Sequence, residues 1–319
     1  MKRRVFAVVV AAAGLGLSTG QAWAASPASS GDGHYRTVDD PNAGTASGQG
    51  TFPSGINDEG VLVGNYYTST NEGFGFRYED GTFSPVNDPN AGTGAFQGTD
   101  PLSIDSHGVI AGYYIDAAGV YHGFLFRHGR FTTLDDPKAG KSPSQGTVAQ
   151  GVNDQGAVTG GYFDSSGVIH GFILVDGRYT TVDDPHAGTA SGQGTALVSI
   201  NNRDVVAGSL IDGNGVSHGF VDRSGHLSGL IDDPRAGHVG GEGTQVYCVA
   251  NTGVVSGQYI GSDKVIHGFT LTHGRFATYD DPRGTNTSIQ CLADTGELVG
   301  FYTDTNGAAH GFIFEPDRR

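Results

Sequence analysis

An all-β chain, folded as a six-bladed β-propeller of four-stranded blades, is what the sequence predicts, and three observations predict it. An Asp-Pro step recurs at Pro41, Pro89, Pro137, Pro185, Pro234 and Pro282, spaced 48, 48, 48, 49 and 48 residues. A Gly-Phe pair recurs at Gly75, Gly123, Gly171, Gly219, Gly268 and Gly311, spaced 48, 48, 48, 49 and 43 residues. Glycine supplies 54 of 319 residues, more than double the usual ~7%. It recurs at fixed offsets beside alternating apolar residues, which means many tight turns and many short strands.

The copy from Phe131 to Gly177 shows the elements in order. Phe131-Thr132-Thr133-Leu134 is β-branched and aromatic, and Asp135-Asp136-Pro137 stops it. Thr147 to Val152 is the next strand, ended by Asn153-Asp154-Gln155-Gly156. Ala157 to Phe163 follows, ended by Asp164-Ser165-Ser166-Gly167. His170 to Val175 is last, closed by Asp176-Gly177. Four strands in a repeat of roughly 40–50 residues make a propeller blade.

A solenoid is the rival architecture, and the chain ends argue against it. The repeats open with a lone strand, Tyr35 to Val38, and end on Gly311-Phe312-Ile313-Phe314 with no such strand after it. The first strand is therefore expected to close the sixth blade, which removes the open edges a solenoid must cap. Thr147–Val152 and its equivalents are read as innermost, Phe131–Leu134 and its equivalents as outermost. The long returns from Asp-Asp-Pro to Gln-Gly-Thr then share one face with the turns holding Asp116, Asp164, Asp212 and Asp304. The opposite face carries tight turns only. The long-loop face is acidic and roomy, and is the expected functional surface.

Residues 1–24 read as a signal peptide, 25–33 as a flexible linker and 34–319 as the propeller. Lys2, Arg3 and Arg4 precede the apolar stretch Val5 to Leu17, and Ala22-Trp23-Ala24 supplies a small-x-small cleavage pattern. The apolar run falls short of the ~18 residues a membrane span needs. Arg3-Arg4-Val5-Phe6 loosely resembles a twin-arginine export signal. A secreted or periplasmic protein is expected. The formal net charge is −15, and the leader carries three of the basic residues. So acidic a chain repels nucleic acid and anionic lipid, so neither a nucleic-acid partner nor a membrane span is expected. The only tryptophan, Trp23, lies in the leader, which argues against sugar sites built on tryptophan platforms.

Gly55-Ile56-Asn57-Asp58 with Gly60, and His122-Gly123-Phe124, resemble the bacterial extracellular HAF-type repeat. The likeness runs from about Tyr35 to Phe314. It departs from the family pattern in reading His-Gly-Phe for His-Ala-Phe, and in Phe74 where the first histidine belongs. The resemblance implies an exported repeat protein and no particular reaction.

The conspicuous polar residues mostly recur. His122, His170, His218, His267 and His310 hold one position in five copies and read as partners of an aspartate in their own blade, with metal ligation the alternative. The Asp-Asp-Pro steps read as turn starters. Calcium is the one cofactor they admit, with Asp136, Asp184 and Asp164 the candidates. Cys248 and Cys291 share one repeat position, held elsewhere by Gly55, Ser103, Gly151 and Ser199. An exported chain permits a disulfide between them, with two buried free thiols the alternative.

The repeat breaks most in the fifth copy. Glu242 stands where Gln49, Gln97, Gln145 and Gln193 stand, His238 enters the same loop, and Tyr247 and Cys248 follow. Ala250 replaces the asparagine of Asn57, Asn153 and Asn201; the sixth copy adds Ala293 and a shortened loop. His238, Glu242 and Tyr247 are thus the candidate acid–base residues. No nucleophile elbow, HExxH, P-loop or CxxC pattern is present. The expected function is a monomeric binding or scaffold module, its acidic long-loop face taking a glycan, peptide or protein. The alternative is a lyase or hydrolase at the channel mouth near blade five.

Overall fold

The computed structural model describes residues 33–223 and 229–317; the predicted signal peptide and most of the predicted linker lie outside them. Among the described residues the regular structure is all strand, and no helix is long and apolar enough to cross a membrane.

Strands pair antiparallel in consecutive groups. β2 (Gly50–Ile56), β3 (Leu62–Tyr67), β4 (Gly73–Glu79) and β5 (Thr82–Pro85) form the first. The pattern returns in β6 (Gly98–Ile104), β7 (Ile110–Ile115), β8 (Tyr121–Arg127) and β9 (Arg130–Leu134). It returns again in β10 (Gly146–Val152), β11 (Val158–Phe163), β12 (Ile169–Val175) and β13 (Arg178–Val182). β14 (Gly194–Ile200), β15 (Val205–Ile211) and β16 (Ser217–Arg223) pair likewise. Among the described residues their outer neighbour contributes a single bridge, Gly219 to Ile231.

β17 (Gly243–Val249), β18 (Val255–Ile260), β19 (Ile266–Thr272) and β20 (Arg275–Tyr279) follow. β21 (Asn286–Leu292), β22 (Leu298–Thr303) and β23 (Ala309–Pro316) complete the chain. The N-terminal strand β1 (Gly33–Thr37) lies antiparallel on β23, with Gly33 opposite Pro316 and Thr37 opposite Phe312. It starts inside the stretch expected to be linker, because Gly33 already pairs with the end of β23.

The innermost strands close a cycle. β2 adjoins β6, then β10, β14, β17 and β21 in turn, and β21 adjoins β2 again. Single parallel pairings tie neighbouring groups, as at Tyr121 with Gly146. Gly146 has φ 124°, and a Cβ there would sit 2.0 Å from the Tyr121 carbonyl oxygen. Only glycine allows that approach, which explains the glycine of every Gln-Gly-Thr or Glu-Gly-Thr step. Where the loop after Pro282 is shortened, the Asn286 side chain does this work instead, accepting the Ile266 N–H at 3.0 Å.

The core is built from the Gly-Phe signature. Phe76, Phe124, Phe172, Phe220, Phe269 and Phe312 are fully buried, one per group. Each such burial stabilises the fold by roughly 2 kcal/mol. Phe172 lies opposite Gly160, where a Cβ would meet its ring at 2.7 Å.

Candidate functional site

On the long-loop face the repeated residues hold one another. Asp40, Asp88, Asp136, Asp184, Asp233 and Asp281 each donate their backbone N–H to a threonine hydroxyl eleven or, in the last case, six residues on. Their carboxylates accept the N–H two residues on, as Asp136 does from Lys138 at 2.8 Å and Asp184 from His186 at 2.8 Å. That is the aspartate turn in its ordinary form.

The histidines sit between two carboxylates. His122 Nδ1 bonds Asp135 at 3.1 Å and its Nε2 lies 3.5 Å from Asp116. His170 does the same with Asp183 and Asp164, His218 with Asp232 and Asp212, and His310 with Asp39 and Asp304. His267 keeps the first partner, Asp280, because Gly261 replaces the second. Four of the five rings also stack on a tyrosine, as His122 does on Tyr114 at 4.9 Å. In the first copy Phe74 stacks on Tyr66 instead, and Asn87 replaces the aspartate. The charge disappears where the histidine does. Burial works against it, yet the Val120 and Ala118 amides and His122 hold the Asp116 carboxyl below its usual range.

Of the calcium candidates, Asp164 accepts the amides of Ser166 and Val168 and Asp184 that of His186, while Asp136 accepts from Lys138 on Oδ1 and its Oδ2 is buried without a partner. The one group of three metal-capable side chains among the described residues is different: Asp105, His107 and Asp154, their ligand atoms within 4.8 Å, on the tight-turn face. Two of these already accept turn amides, Asp105 from Val109 and Asp154 from Ser106.

The candidate acid–base residues do not assemble. Glu242 is buried, takes the Lys264 ammonium at 2.6 Å and accepts the Val239 N–H. Gln49 does the same structural work with opposite polarity, accepting from Ala46 and donating to Asn71, which stands where Lys264 does. The Lys264 hydrogen bond holds the Glu242 carboxyl below its usual range. Tyr247 lies on β17 instead, its hydroxyl donating to Gln245 at 2.7 Å, and burial raises its phenol. Among the described residues no hydrogen bond joins Tyr247 to Glu242 or His238. The bond Cys248–Cys291 is formed, and joins β17 to β21 with Cα atoms 5.0 Å apart.

The concave site lies on the axis and opens on the tight-turn face, not the long-loop face where function was expected. A cavity of about 100 Å³, open to solvent, is walled by Asp105, Asp154 and their equivalents. It continues past Ser103, Ser199 and the disulfide into a narrower waist. A β-bulge makes that waist. Each innermost strand slips register once, leaving Ser54, Leu102, Gln150, Val198, Tyr247 or Gln290 unpaired. A bulge re-aims its side chain, and all six line the waist. Five residue types fill these six positions, glutamine twice. Gln150 is 3% exposed, and neither its amide oxygen nor its amide nitrogen has a partner. Simple alternation through Thr147–Val152 hides this residue. Aligning the copies marks it, because a regular repeat varies there.

No family model matches the sequence, and no curated protein matches it. Solved structures do. AofleA from Arthrobotrys oligospora is 13% identical, covers 88% of this chain and 86% of its own, and has a TM-score of 0.55. A fucose-specific lectin from Aleuria aurantia is 11% identical over 82% of this chain and 94% of its own, with a TM-score of 0.51. A gluconolactonase from Xanthomonas campestris is 16% identical over 90% and 98%, with a TM-score of 0.49. The first two likenesses show that this chain shares a propeller-like, all-β fold.

Proposed function

We propose that the chain is an exported six-bladed β-propeller that binds a small, neutral, polyhydroxylated ligand such as a sugar in its axial channel. The strand groups, the closed cycle of inner strands and the pairing of β1 with β23 support six blades. The leader pattern and the disulfide support export. The Gln150 amide carries the ligand reading. A buried amide with no partner costs free energy, and this one lines the waist of the channel. Leu102 and Val198 add apolar wall, while Ser54, Tyr247 and Gln290 add hydroxyl and amide groups. Such a neutral mixture suits a sugar's polar edge and apolar face.

Binding is favoured over catalysis by the same lining. The one titratable side chain at the waist is Tyr247, a buried phenol held by Gln245. A fucose-specific lectin and a complex with α-methyl-L-fucoside occur among the similar folds, which makes neutral sugars the first probes. In calorimetric titration with neutral mono- and disaccharides, α-methyl-L-fucoside included, a binder should emerge. Gln150→Leu should weaken it about tenfold or more with the fold retained, and Val198→Phe should block it. Unchanged affinity in both variants would remove the channel from consideration.

A further inference from the structure

Where one repeat meets the next, the third residue of an innermost strand faces the second strand of the preceding repeat. At three of these junctions the facing groups match in kind. Phe52 meets Phe301 with ring centroids 5.0 Å apart. A Cβ on Gly161 would touch Ala196 at 3.8 Å. The Ser209 hydroxyl bonds the Val246 N–H at 2.8 Å, beside Gln245, which itself accepts from Gln258 at 2.7 Å.

The junction of β3 with β6 is different. It brings Asn65, 1% exposed, toward Asp100, 4% exposed. Asn65 Oδ1 and both Asp100 oxygens are buried with no hydrogen bond of normal length, although the Tyr113 hydroxyl acts as a donor toward the carboxylate. The ionisable groups that act on the carboxylate are phenols, Tyr67 on β3 and Tyr113 on β7, with Tyr121 on β8 beside those phenols and no lysine, arginine or histidine acting on it. In the corresponding inner-strand positions stand Phe52, Val148, Ala196, Gln245 and Ser288, none of them charged. An unpaired buried carboxylate is strongly disfavoured. A proton on Asp100 and the Tyr113 hydroxyl supply two donors for three acceptor atoms. A cation can engage all three, with phenol oxygens available beside them.

We propose that Asn65 and Asp100, with Tyr67 and Tyr113 beside them, form a buried site for a small hard cation between the first and second repeats. Oxygen donors of this kind suit sodium, potassium or calcium rather than a soft transition metal. The site is separate from the axial channel.

The test uses the full chain, stripped with EDTA and held in tetramethylammonium buffer. CaCl2, NaCl and KCl are titrated separately by calorimetry and by thermal shift. One cation should bind at one equivalent and raise the melting temperature. Asp100→Asn should weaken binding at least tenfold while folding normally in cation-free buffer. Asn65→Ser should weaken it less, and Gln150→Leu should leave it unchanged. The proposal fails if no cation binds and only acidification stabilises the protein. It fails equally if Asp100→Asn binds as well as the parent.

Discussion

The rim of the ring and its axis are built from the same repeats and treat them in opposite ways. On the rim, corresponding positions hold the same residue for the same reason. Six aspartates donate to six threonines, and histidine after histidine sits between carboxylates. Even the exceptions there are compensated: Glu242 comes with Lys264 and Phe74 with Asn87. On the inner strands, the third and the bulged positions hold mostly different residues, and two of these are left unsatisfied: Gln150 in the channel and Asp100 in the wall. Regularity marks what the fold requires. Uncompensated irregularity marks where something other than the fold set the residue.

If that contrast holds, the inner wall should respond most strongly to perturbation, and Asp100 most of all. Burial raises its carboxyl to about 7, against an unfolded value near 3.8. The folded state therefore binds this proton more tightly than the unfolded state. The stabilisation is complete below the unfolded value and is lost as pH rises through about 7. A shift of about three units corresponds to about 4 kcal/mol. In cation-free buffer, Asp100→Asn should thus match the parent near pH 4 and exceed it by up to about 4 kcal/mol at pH 8. Urea unfolding across that range measures the difference. A constant difference would mean that Asp100 is neither buried nor isolated as described.

The disulfide should come next. It is the one covalent tie between innermost strands, and it crosses the junction where the shortened loop leaves Asn286 to replace a backbone pairing. Replacing Cys248 and Cys291 by serine, or reducing them, should cost about 3 kcal/mol. The loss should appear as a lower urea midpoint at unchanged slope. A slope change would mean that the ring opens at this seam rather than unfolding as a unit.

Much of the fold was legible because turn chemistry is local. Asp-Asp-Pro, Asn-Asp-x-Gly and Gln-Gly-Thr each dictate their own backbone, so strand limits and the closing strand could be read directly. The candidate site was much less legible. Acidic residues suggested the long-loop face, but whether a carboxylate is free depends on neighbours distant in sequence: Asp39 is held by His310, at the other end of the chain. The bulge was hidden for a different reason. One unpaired residue shifts every later side chain to the opposite sheet face, and the small residues after it tolerate either orientation. The partner of Glu242 was hidden likewise, because its counter-charge, Lys264, belongs to a different turn.

The smallest expected effect tests the rim. Phe74 already occupies the histidine position in one copy, stacking on Tyr66 with ring centroids 5.6 Å apart. The histidine's stacking role on Tyr114 should therefore pass to phenylalanine, leaving only a partly exposed ion-pair contribution to lose. Such contributions are usually below about 1 kcal/mol. His122→Phe should cost no more than that, and adding Asp135→Asn should recover part of it, since together they recreate the first copy's arrangement. Sugar and cation affinities should not change. A loss of several kcal/mol, or of either affinity, would show that the rim histidines do more than hold their own repeat, and the division between rim and axis would fall.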